Sequence, residues 1–212
     1  IVNKSNAWLS KLKLALVISI VVAFIYTLLS YLYVDNLAVT GVDPLGEESQ
    51  WDLSLVMGYT VVSLLGIASA IFLVVTSIGF MFRTAQWLKA MDPSAIDGKP
   101  GVIIAAYFIP IANIVLPFRY LLSMNKSGQN SDEEKAKLKT LIILNLGLAV
   151  ISLLVGGNQW ADLILGAPEQ TLEEVVFQEW RGIIGGIFDM GAMATLFLLV
   201  TPIHAGLAKR EQ

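Results

Sequence analysis

Cysteine is absent from this 212-residue chain and histidine occurs once, at His204. The first absence excludes disulfides, thiolate metal sites and iron–sulfur clusters, and the second excludes ligation of haem or metal by two histidines of one chain. Charge is scarce as well: 15% of residues are charged against 56% hydrophobic, and the mean hydropathy of +0.70 lies outside the range of water-soluble domains. With a net charge of −3 there is no basic face to neutralise phosphates, which excludes a nucleic-acid partner. Catalytic constellations are missing too. The serines have no His–Asp pair nearby, no glycine-rich phosphate loop is present, and Asp92 and Asp97 share one short turn rather than opposing each other. An enzyme is the least expected class.

What the chain does have is long uncharged runs, at 14–34, 53–82, 101–118 and 140–161, with a fifth at 182–208 broken only by Asp189. A spanning helix needs about 20 apolar residues, so four of these runs qualify. The first is 21 residues long with no small-residue cleavage site, and reads as a span rather than a signal peptide. The 101–118 run is different. It holds Pro110 and Pro117 with Asn113 between them, and each internal proline removes a backbone donor and crowds the preceding turn.

Basic residues decide how that run is threaded. If all five runs cross, the 14 Lys and Arg divide seven and seven; if 101–118 enters and returns, 13 lie on one side and Arg181 alone on the other. The positive-inside rule selects the second arrangement. The expected fold is therefore an all-α integral membrane protein, one domain over 1–212. It has four transmembrane helices at about 14–34, 53–82, 138–157 and 182–204, a broken re-entrant segment at about 101–118, and both termini cytoplasmic. Trp8, Trp51, Trp87, Trp160 and Trp180 each flank a span, at headgroup level. Ser131 with Glu134 forms a capping box, so a helix is expected to start near Asp132 and run into the membrane. Beyond Pro168, the spacing of Leu172, Val176 and Trp180 predicts a short amphipathic helix lying on the outer surface. The two outer loops carry ten acids and one base, which makes Glu173, Glu174 and Glu179 a candidate docking surface for a partner.

The string Arg83-Thr-Ala-Gln-Trp-Leu-Lys89, followed by Ile104-Ala-Ala-Tyr-Phe-Ile-Pro-Ile-Ala-Asn-Ile-Val-Leu-Pro-Phe-Arg-Tyr120, resembles a bacterial membrane-protein family known as domain of unknown function 4328. The resemblance is densest over about 79–124, and its most specific part is Pro110-Ile-Ala-Asn113 with Pro117-Phe118 seven residues on. It implies a bacterial multi-pass membrane protein, and no activity, substrate or cofactor.

Three places hold residues with possible chemistry. Asp189 is the one carboxylate inside an expected span, about seven residues from its outer end. The favoured reading is a helix–helix hydrogen bond, with Tyr59 or Thr60 as partner, among the small residues Gly182, Gly185, Gly186 and Gly191; the alternative is a proton or cation site. His204 follows Pro202 near the end of the same helix and reads as a capping or interfacial histidine, with axial ligation of a single pigment as the alternative. In the broken segment, Pro110, Asn113, Pro117 and Arg119 read as a packing plug or as a permeation site, since irregular backbone at membrane depth must be buried in protein or line a cavity. Gly58, Gly66 and Gly79 read as helix-packing positions. The expected function is a non-catalytic accessory or scaffold subunit among other integral membrane subunits of a bacterial cytoplasmic membrane, with bound lipids and no other cofactor. A small transporter or channel using 110–117 is the alternative.

Overall fold

The computed structural model describes residues 2–40, 53–96, 100–106, 110–156 and 171–211. Among the described residues there is no strand: the elements are α1 (Val2–Thr40), α2 (Leu53–Met91), α3 (Gly101–Ala106), α4 (Pro110–Ser127), α5 (Asp132–Gly156), α6 (Leu172–Ala208) and a closing 3-10 turn, Lys209–Glu211. Four of them, α1, α2, α5 and α6, are long and apolar enough to cross a membrane. Phe24, Leu28, Leu64, Ile71, Leu154 and Leu198 are each more than half exposed. Such a surface is untenable in water and ordinary against lipid.

The helices overrun the spans expected of them. At 1.5 Å per residue, the 39 residues of α1 and of α2 rise about 58 Å, nearly twice the ~30 Å hydrocarbon core. Lys11 and Lys13 do not end α1, because their ammonium groups lie over the rings of Trp8 and Phe197, 4.9 and 5.3 Å from the ring centres. The predicted surface helix is likewise part of a span: α6 runs unbroken from Leu172 to Ala208. Its start is set by Thr171, whose hydroxyl accepts from the Glu174 amide while the Glu174 carboxylate accepts from the Thr171 amide at 2.8 Å. Pro168 lies outside the described residues. Ser131 and Glu134 form the expected box at the head of α5, at 3.1 and 3.3 Å.

The long helices pack in the order α2, α1, α6, α5, with α5 against α6 and α1 against α2 the most extensive contacts; α4 lies across α2, α5 and α6. A continuous core lies at one end, while Val34 and Leu37 of α1 are buried separately toward the other. Leu12 and Leu16 of α1, Phe80 and Trp87 of α2, Leu121 of α4 and Ile203 of α6 are almost wholly buried together. This is the end that carries Lys11, Arg83, Lys89 and Arg210, hereafter the basic end. Trp87 therefore belongs to the core rather than to a headgroup belt, while Trp180 at the distal end is exposed and meets Tyr31 edge-on at 5.8 Å. Trp51 and Trp160 lie outside the described residues.

Backbone contacts fasten the α4–α5 turn to α6. The Gln129 amide donates to the Gly206 carbonyl at 2.8 Å, and the Asn130 amide group donates to the Pro202 carbonyl at 3.1 Å. A Cβ on Gly206 would lie 2.6 Å from Asn130 Nδ2, so glycine is required there. Gly79 is needed for a similar reason, because the Trp8 ring occupies the place of its missing side chain. Gly58 and Gly66 have open space instead and are not packing positions.

Candidate functional site

Toward the distal end the bundle loosens. α2 and α6 each lean on α1 but barely meet, and between the three lies a cleft of about 250 Å³. Residue spacing explains why all three helices face it. On α6, Glu179, Gly182, Gly186, Asp189 and Met193 recur at intervals of three and four, which places them on one helix face. On α1, Ser19, Ala23, Tyr26 and Ser30 do the same, and on α2 so do Gly66, Ser69 and Leu73. The walls mix small and hydroxyl-bearing residues with Val22, Leu73, Ile183 and Met193, and Gly186 approaches so closely that a Cβ on it would lie 3.3 Å from Thr27 Oγ1. The Ser19 hydroxyl donates to the Ser69 carbonyl at 3.3 Å.

Asp189 opens onto this cleft, and neither expected partner holds it. The Thr60 hydroxyl donates to the Val56 carbonyl of its own helix at 3.0 Å. Tyr59 instead shares a hydrogen bond with Tyr26 at 3.3 Å and stacks on Tyr33. Asp189 is exposed by surface area and closely surrounded by neighbouring atoms; both are true of a carboxylate whose accessible surface is the wall of a cleft. Glu179, expected on a water-facing docking helix, is the second acid here. Ten residues separate it from Asp189, about 15 Å of rise along α6. Arg181, the nearest base in sequence, turns away and donates to the carbonyls of Val155 and Leu154 at 3.1 and 3.3 Å, capping α5. Neither Glu179 nor Asp189 makes a hydrogen bond or ion pair among the described residues.

Ser30 adds a further unmatched group. It is 3% exposed, lines the cleft, and its hydroxyl closes no hydrogen bond of good geometry, although Tyr59 is near enough to influence it. Buried hydroxyls are ordinarily paired, since leaving one unpaired costs about 1–3 kcal/mol.

The remaining sequence candidates are elsewhere. Pro110 opens α4, where the missing donor is tolerated, and Pro117 lies within α4, half-buried. Pro117 borders a second cavity of about 80 Å³ with Leu12, Met81, Leu121, Asn145 and Leu196. That space is nearly all apolar and is separate from the one Asp189 lines. Arg119 is on the exposed side of α4, and the Asn113 side chain lies outside what is described. The structure thus brings Asp189 together with Glu179, Tyr26 and Ser30, and not with the broken segment.

His204 is a core residue rather than a cap. It is 4% exposed, its Nε2 lies 3.0 Å from Ser5 Oγ, Ser5 Oγ lies 3.2 Å from Thr84 Oγ1, and the Trp87 ring is 5.3 Å away. A pigment at His204 would have to displace Ser5 from the ring nitrogen. Among the described residues no group of three acids and histidines is arranged to hold a metal. Comparison of the chain with models of known protein families, with curated proteins and with solved structures finds no match to any of them.

Proposed function

We propose that this chain is a non-catalytic multi-pass protein of a bacterial cytoplasmic membrane, and that it acts by binding a cationic group in the cleft between α1, α2 and α6. The observation that carries this reading is the pair of carboxylates on one face of α6, Glu179 and Asp189, with no counter-charge beside them among the described residues. A charge deep in a span costs a few kcal/mol even on the mildest scale, and such a residue marks a site by default. A small solute is the reading favoured, which places transport at this cleft rather than at 110–117.

A second reading keeps the chain as an accessory subunit within a larger membrane complex. It is favoured by the poor contact of α2 with α6, which opens the cleft sideways to a neighbouring helix bearing Lys or Arg. Reconstitution separates the two. A protein that purifies alone and moves an organic cation into liposomes, with Asp189→Asn abolishing the flux at unchanged expression, upholds the solute reading. Stoichiometric co-purification in mild detergent with other subunits, without flux, replaces it by the accessory one.

The membrane orientation that goes with this reading puts both termini and the basic end in the cytoplasm, with 101–118 re-entrant. Besides the partition of 13 basic residues against one, it is supported by Arg210, which meets Asp92 at 3.1 Å and the Ser127 carbonyl at 3.5 Å, so the two ends of the broken segment approach the same residue.

A further inference from the structure

The cleft has a shape as well as a charge. Glu179 and Asp189 are separated by about 15 Å of rise along α6, and the cleft that both line follows that face of the helix, which suits an elongated ligand. The stretch between the acids is lined by Gly182 and Gly186 on α6 and by Ala23 and Thr27 on α1, with Ile183 and Val22 supplying apolar wall beside them. Hydroxyls line it at intervals: Ser19 and Ser30 on α1, Ser69 on α2. The Ser30 hydroxyl, 3% exposed and without a well-formed hydrogen bond, is an acceptor and donor held ready near the Glu179 end. Tyr26 lines the same end of the cleft, its hydroxyl shared with Tyr59 at 3.3 Å.

We infer, resting on the proposal that the cleft is a binding site, that its ligand is a linear polyamine: an extended methylene chain with ammonium groups at or near both ends. One end would pair with Glu179 and the other with Asp189, the methylenes would lie along the glycine and alanine stretch, and an internal ammonium would meet the serine and threonine hydroxyls. The terminal ammonium groups of such a ligand supply counter-charge to both carboxylates, internal ammonium groups in excess of the two acids rest on the hydroxyls, and the methylenes lie along the distal half of α6. A compact monovalent cation would leave one carboxylate unmatched.

The test uses the full chain in lipid nanodiscs with spermine as the probe, read by isothermal titration. Spermine is expected to bind at least tenfold more tightly than butane-1,4-diamine, whose charges are too close to reach both acids. Glu179→Gln and Asp189→Asn should each weaken spermine by tenfold or more, and each should narrow the difference between the two amines. Equal binding of spermine and tetraethylammonium, or spermine binding unchanged by both substitutions, overturns the inference. Accessibility of the cleft separates this failure from that of the broader reading. The chain has no cysteine, so Thr27→Cys, or Ser69→Cys if the first folds poorly, gives a single thiol in the slot. A thiol that a small methanethiosulfonate labels, and that tetraethylammonium but not spermine protects, keeps the binding site and discards the polyamine. A thiol that cannot be labelled discards both.

Discussion

Replacing Asn145 by Leu tests how the two most extensively packed helices are held together. Asn145 of α5 is buried, and its amide group donates both protons to α6: one to the Ala192 carbonyl and one to Thr195 Oγ1 at 2.7 Å. The Thr195 hydroxyl donates in turn to the same Ala192 carbonyl at 2.9 Å. Interhelical hydrogen bonds in membranes average about 0.6 kcal/mol with a ceiling near 1.7, so two of them are worth roughly 1.2 kcal/mol and at most about 3.4. Leucine has the branching and heavy-atom count of asparagine but is bulkier, and the position borders an apolar cavity of about 80 Å³ that can take up the difference. Thr195 keeps its partner at Ala192, so no new donor is stranded by the change. Asn145→Leu should therefore lower the free energy of unfolding by roughly 1.2 kcal/mol, a sevenfold shift in the equilibrium constant. Denaturing-detergent titration of the protein in mixed micelles reads this directly. A cycle with Thr195→Val isolates the Asn145–Thr195 bond, and the double variant should be less destabilised than the sum of the singles by about 0.6 kcal/mol. If Asn145→Leu unfolds at the same denaturant fraction as the parent, or the two changes are additive, the hydrogen bonds do not hold α5 to α6 and shape alone does.

Asp189 should behave in the opposite way. With no hydrogen bond to lose, Asp189→Leu should insert more favourably and raise resistance to thermal aggregation while abolishing cation binding; a loss of stability would show that the carboxylate is structurally paired after all. Single cysteines at Ser94 and Ser127 should be labelled from the same side of sealed vesicles, the cytoplasmic one, and labelling from opposite sides would restore a fifth span. At the basic end, hydrogen bonds from Ser94 and then the Arg210 guanidinium hold the Asp92 carboxyl below the usual carboxylate range. A carboxyl lowered by folding contributes above its ordinary pKa near 4 and is lost as pH falls through the lowered one. The protection factor for hydrogen exchange at Lys209–Glu211 should therefore be constant from pH 7 to 5 and fall only below about pH 4, with Asp92→Asn removing that step.

Much of the architecture is legible in the sequence because hydropathy reports directly on what lipid tolerates. The four long helices and the start of α5 at Ser131 follow from uncharged runs and one capping pair. The rest depends on contacts between distant residues. Lys11 and Lys13 suggested where α1 should leave the membrane, but a lysine lying over an aromatic ring does not break a helix. Glu179 looked water-facing because a charge reads as a boundary, although its spacing from Gly182, Gly186 and Asp189 already put all four on one face. Counting residues placed Tyr59 at about the right depth for Asp189 and gave no azimuth; α1 stands between α2 and α6, and the tyrosine turns to Tyr26. His204 looked like a cap because it sits near the end of a helix, where cations are favoured, yet Ser5 of α1 and Phe80 and Trp87 of α2 close over its ring.

The uneven distribution of packing is itself a mechanism. At the basic end α2 and α6 are joined through Phe80, Trp87 and His204, and α4 and its following turn lie across the joint. At the distal end the same two helices part, separated by the polar, small-residue face of α1. A bundle packed uniformly along its length would have closed the slot, because interiors do not leave space of this size where apolar side chains can reach. Here the space persists where glycine, serine and carboxylate interrupt the apolar side chains of Val22, Leu73, Ile183 and Met193 that also line it. The dense end can then act as a fixed joint while α2 and the distal half of α6 separate or approach about it, which would let a ligand enter sideways without disturbing the core. Rigidifying α2 beside the cleft should slow entry more than it weakens binding, and Gly66→Ala, which removes the backbone freedom of a mid-helix glycine and has open space for its methyl group, is the change that would do so.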